Sequence, residues 1–94
     1  MLRFEDTRLE IFRLGDSEED NFYSLTNIKK NPKGLDAERL AKTSPLAFDE
    51  TLHAMGCVLL MNHQDILQLK ENEGLTDENL HQGIFEVAKK EGIL

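Results

Sequence analysis

The longest uninterrupted apolar run in this chain, Ala54–Met61 (AMGCVLLM), constrains the fold more than any other feature. It is apolar on every side, so whatever secondary structure it takes, it should form the buried centre. It is also far shorter than the ~20 residues that carry a helix across a bilayer. With 94 residues in all, the chain has room for a single domain over residues 1–94 and not for two independent cores. A domain of this size is only marginally stable alone, so partner binding or self-association would add to what its core supplies. Five Phe, one Tyr and no Trp leave that core to Leu, Ile, Val and Met.

Helix signals dominate the rest. Ser17 is placed to cap a helix whose first turn holds Glu18, Glu19 and Asp20. Phe22, Leu25 and Ile28 follow at three-residue steps, and Asn31-Pro32-Lys33-Gly34 breaks the run after Lys30. Asp36 opens a short helix, DAERLAK, with Ala37, Leu40 and Ala41 inward. Ser44-Pro45 starts another, reaching about Gly56, with Phe48, Leu52, Met55 and Leu59 on one side. Thr76 caps the last, with Leu80, Ile84, Val87 and Ala88 as its inner stripe, Lys89 and Lys90 in its final turn, and Gly92 closing it. Two segments stay open. Residues 2–14 read as helix or as two short strands around Glu5-Asp6-Thr7. Residues 57–70 read as a hairpin, Val58–Met61 and Ile66–Leu69 joined by NHQD, or as helix restarting at a capping box, Asn62 to Asp65.

Catalytic chemistry finds little to work with. A nucleophile needs a converging base, and His53 with Cys57 is the one pair at helical spacing. Cys57 lies inside the apolar run, where a thiol is inert and structural. Extending the stripe to Met61 gives a set suited to soft Cu(I), but without a second cysteine, CxxC or HxxxH it reads as core filler. His63 and His81 stand alone in polar surroundings. No glycine-rich phosphate loop occurs. The expectation is a non-enzyme with no cofactor and no metal. The single cysteine fits a reducing compartment, and Met1–Asp6 (MLRFED) does not read as a secretory signal, so a cytosolic setting is expected.

Charge is more telling. The formal net charge is −7. Residues 1–24 carry three basic and seven acidic groups, and residues 43–94 carry three and nine. Residues 25–42 reverse the sign, with Lys29, Lys30, Lys33, Arg39 and Lys42 against Asp36 and Glu38. This balance favours a cationic partner and opposes non-specific attachment to nucleic acid or anionic lipid. The expected partner is another protein with a basic surface, met by Asp16, Glu18, Glu19 and Asp20 or by Glu71, Glu73, Asp77 and Glu78.

The order from Phe22 to Leu69 resembles a winged helix-turn-helix domain: FYSLTNIKK as helix, NPKG as turn, LDAERLAK and PLAFDETLHAM as the next helices, then CVLLM-NHQD-ILQL as a two-stranded wing. KNPKGLDAERLAK looks like the run into the motif, with Leu40-Ala41 at its packing position. The resemblance implies an α+β fold and a DNA-binding regulator, with Lys29, Lys30, Lys33, Arg39 and Lys42 against the phosphates. The helix that would enter the groove carries Asp49, Glu50, Thr51 and His53 but no Lys or Arg, which repels phosphate. The same scaffold also serves protein–protein contacts. The fold expected from pattern is therefore mainly α, four to five short helices with room for a small β-hairpin, and winged-helix α+β is the alternative. The expected function is a small acidic interaction module of regulator, inhibitor, immunity or antitoxin-like type.

Overall fold

A computed structural model describes residues 1–42 and 50–94. Its centre is a three-stranded antiparallel sheet in the order β1-β2-β3, formed by Thr7–Arg13, Asn21–Asn27 and Cys57–Asn62. Four helices accompany it among the described residues: α1 Ala37–Lys42, α2 Glu50–Ala54, α3 His63–Glu73 and α4 Leu80–Lys90. The domain is α+β, and the mainly helical expectation is overturned by the sheet.

The decisive correction falls on Ser17–Lys30. The cap there is real: Ser17 Oγ accepts the Glu19 N–H at 3.1 Å, and Asp20 Oδ2 accepts the Ser17 N–H at 3.2 Å. The helix behind it lasts one 3-10 turn, Glu18–Asp20, and the chain then enters β2. Phe22, Tyr23 and Thr26 suit a pleated strand, and both faces of β2 are covered. Tyr23, Ser24, Leu25 and Thr26 are all buried, the last three completely. Residues 2–14 resolve as a 3-10 turn, Phe4–Asp6, followed by β1, which pairs with β2 from Thr7↔Asn27 to Arg13↔Asn21.

Each open reading of residues 57–70 holds for half of that segment. Cys57–Asn62 is a strand, but it pairs with β2 and not with Ile66–Leu69. Those residues are helical, because Asn62 Oδ1 accepts the Asp65 N–H at 2.9 Å and Asp65 Oδ2 accepts the Asn62 N–H at 3.3 Å. Helix α1 forms where Asp36 predicts it, with the Arg39 N–H on Asp36 Oδ1 at 2.5 Å. Helix α4 begins at Leu80 and not at Thr76, after a turn in which Asn79 Oδ1 accepts the Thr76 N–H at 2.7 Å. Ser44-Pro45, Leu46, Phe48 and Asp49 lie outside the described residues.

The sheet separates two cores. On one face Tyr23, Leu25, Val58 and Met61 pack with Ile66 of α3 and Leu80, Ile84 and Ala88 of α4. On the other, Phe12 and Cys57 pack with Leu35, Leu40 of α1 and Leu52 of α2. The apolar run is shared between them, because strand alternation sends Cys57 and Leu60 to the second core and Val58 and Met61 to the first, and a bulge opposite Leu25/Thr26 keeps Leu59 on the same side as Val58. Its first residue, Ala54, is exposed, so the completely covered centre is β2 rather than Ala54–Met61. Gly56 makes the turn into β3 at φ 104°, where an added Cβ would lie 2.9 Å from Asn31 Cβ.

Ser24 and Thr26 place two hydroxyls in the second core. Ser24 Oγ donates to Cys57 Sγ at 3.3 Å, which leaves Thr26 Oγ1 to donate to Ser24 Oγ at 3.0 Å. The chain of bonds is what makes polar residues tolerable there.

The N-terminus is tied to α4 through His81. Thr7 Oγ1 donates its one proton to Phe4 O at 2.7 Å, so it accepts from His81 Nε2 at 2.9 Å. The Phe4 ring stacks at 4.5 Å from His81 and edge-on at 5.6 Å from Phe85. Burial holds the His81 imidazole below its ordinary pKa. Because the unfolded chain takes up that proton first, stability is complete above the ordinary imidazole value of about 6.5. It declines as pH falls from there through the lowered native value. Chemical denaturation across pH 5–8 should show this slope, and His81→Gln, which keeps a donor for Thr7, should flatten it. Leu25→Ala, at the centre of the covered strand, should cost about 2–5 kcal/mol in urea unfolding.

Candidate functional site: an acid-flanked groove

Odd-numbered residues of β1 and β2 share the sheet face toward α3 and α4, and those two helices do not cover all of it. A groove of about 310 Å³ remains, floored by Leu9, Ile11, Tyr23, Ile66 and Leu80. That volume stands at the lower end of the range for ligand pockets, roughly 300–1,000 Å³. It fits one or two side chains better than a cofactor. Ile11 is 57% exposed and Leu67 45% exposed, and both line the same groove.

The α3 wall follows from the Asn62–Asp65 capping box, which starts the helix directly at the end of β3. His63, Leu67 and Lys70, at four- and three-residue steps, then share one stripe facing the groove. Lys70 forms an ion pair with Asp77 at the rim. His63 Nδ1 is buried without a hydrogen-bond partner. At the other end Glu18, from the β1–β2 loop, and Asn21 complete the lining.

The two acidic clusters meet here in part. Glu18 of the first and Asp77 of the second line the groove together, although they are far apart in sequence. Asp16 and Glu19 are exposed beside Glu18 in the loop, while Asp20 closes that loop onto the Ser17 N–H. Glu71 and Glu78 are exposed on α3 and on the turn before α4. Glu73 lines a separate shallow depression with Leu75 and Glu86. Sequence reasoning missed Ile11, Tyr23, His63 and Leu67. Their positions depend on strand register and on which stretch of sheet the helices leave bare, and no local pattern carries either.

The basic segment is dispersed. Lys29 and Lys30 follow β2 in a turn, Lys33 lies in the next loop, and Arg39 and Lys42 are on α1. Lys29 pairs with Asp6 at 3.4 Å and Lys42 with Glu38 at 3.2 Å. The stretch FYSLTNIKK is a strand and turn, and ILQL is helical, so neither takes the form the winged-helix order requires.

His53, Cys57 and Met61 do not form a stripe. The helix ends at Ala54, and Cys57 and Met61 serve opposite cores. Among the described residues no group of three or more His, Cys, Asp or Glu is arranged to hold a metal ion. No helix among them is long and apolar enough to cross a membrane. The groove therefore offers recognition: an apolar slot with His63, Glu18 and the Lys70–Asp77 pair in its lining. No family model, curated protein or solved structure matches the chain.

Proposed function

We propose that the domain is a small non-enzymatic interaction module, of regulator or inhibitor type, that binds a basic protein partner through this groove. The observation that carries the reading is the placement of Glu18 and Asp77, one from each acidic cluster, beside the half-open aliphatic side chains Ile11 and Leu67. An apolar anchor flanked by Lys or Arg finds an aliphatic slot there, with Glu18 beside it and Asp77 shared with Lys70. The net charge of −7 adds long-range attraction, which raises association rates more than it deepens affinity.

The test is a panel of blocked Lys/Arg-rich peptides, each with one aliphatic or aromatic anchor, titrated into the 15N-labelled chain at low and moderate salt. Shifts should concentrate at Ile11, Tyr23, His63 and Leu67, and affinity should fall with salt. Glu18→Lys should weaken binding by up to about fivefold, the span of one exposed ion pair. Leu67→Asp should weaken it further. Shifts confined to Lys29–Lys42, produced by duplex DNA and lost on neutralising Lys29, Lys30 and Lys33, would replace this reading with the nucleic-acid one.

A further inference from the structure

The ladder between β1 and β2 shows which way each peptide group of β1 points. The Leu14 N–H bonds to Asp20 O at 3.3 Å, and the Ile28 N–H bonds to Asp6 O at 2.8 Å. Both pairs continue the β1–β2 register, so the even-numbered residues of β1 exchange bonds with β2. The odd-numbered residues point the other way, off the edge of the sheet. The Thr7 N–H is taken back by Phe4 O. The outward N–H and C=O groups of Leu9, Ile11 and Arg13 meet no partner among the described residues.

Open edges are normally guarded by charged side chains. β1 has three, and each is engaged within its own chain. Arg8 Nη2 donates to Asn31 O at 2.6 Å, Glu10 Oε1 accepts the Leu35 N–H at 3.3 Å, and Arg13 Nε donates to Asn21 Oδ1 at 3.2 Å. Arg8 and Glu10 moreover occupy the face away from the groove, because Leu9 and Ile11 occupy the near one. The unpaired edge and the groove are thus contiguous, and they meet at Ile11.

We infer that the outer edge of β1 accepts an extended basic segment of the partner protein by strand addition. This rests on the groove reading above and specifies how the partner is held. Main-chain bonds form to Leu9, Ile11 and Arg13, and alternate apolar side chains of the segment pack beside Ile11 and toward Leu67. Its Lys and Arg residues lie toward the hairpin loop, where Asp16, Glu18, Glu19 and Asp20 stand with no basic residue among them. Charge selects this occupant over a second copy of the chain, since two molecules of net charge −7 repel and a cationic strand is attracted.

The probe is a blocked peptide of alternating valine and threonine with a run of lysines at one end, with glutamates in place of those lysines as the control, added to the full 15N-labelled chain. Amide hydrogen exchange is the readout. The Leu9, Ile11 and Arg13 amides should exchange fast in the unbound chain and slow by about tenfold or more at saturation. The control peptide should leave them unchanged. Ile11→Pro removes an outward N–H without touching the ladder to β2, so it should abolish both binding and protection, while Ile11→Thr, which keeps that N–H but loses apolar contact, should weaken binding and still protect the three amides at saturation. The exchange result on the unaltered chain decides the matter even where Ile11→Pro fails to fold. Peptide shifts at His63 and Leu67 with no protection of the three amides overturn strand addition and leave the groove reading standing. No binding of either kind overturns both. Protection in the unbound chain together with a dimeric sedimentation mass assigns the edge to a second copy and overturns the proposal.

Discussion

Strand β2 is hydrogen-bonded to β1 along one edge and to β3 along the other, with a core against each face. That enclosure governs the rest of the molecule. Leu25 anchors the core shared with α3 and α4, and Ser24 and Thr26 look into the core shared with α1 and α2. A chain of this length divides its apolar side chains between two thin layers instead of one thick one. Each layer is then completed by helices of only a few turns, which are held by packing more than by intrinsic propensity. The hydroxyl-to-thiol chain fills a place where another aliphatic side chain would be expected, and it gives that layer direction as well as bulk.

The same enclosure explains what could and could not be read from sequence. Periodicity assumes that one face is wet. β2 has no wet face, so its Phe22 and Leu25 matched helical spacing with Ile28 beyond its end by coincidence, while two of its completely buried residues are polar. The local signals were sound at the scale on which they operate. Ser17 and Asp20 do form a capping box, but it closes a single turn, and how far a helix continues is decided by tertiary packing. Asn62 and Asp65 form a second, and there α3 has Ile66 to bury, so the helix runs on to Gly74. Exposure of the acidic clusters was legible from their composition. The meeting of Glu18 with Asp77 was not, because it needs the β1–β2 loop brought against α3 by a register no local motif encodes.

Charge in this molecule shapes its field more than its stability. Lys42–Glu38 is an exposed pair, of a kind worth at most about 1 kcal/mol, and Lys29 reaches from solvent to a largely covered Asp6. They matter because they cancel the basic segment locally, whereas the β1–β2 loop holds four carboxylates with no cation in its own sequence. Negative charge is accordingly concentrated in the loop at one end of the sheet. An asymmetric field of this sort orients an approaching cationic surface as well as attracting it.

The junction at Asn62 carries a consequence for direction. β3 ends there and α3 begins at the next residue, with the Asn62 and Asp65 side chains bonded across the corner. With no linker residue between them, the end of the strand sets the heading of the helix. The side on which His63, Leu67 and Lys70 stand is thereby inherited from the sheet and not chosen by the helix itself.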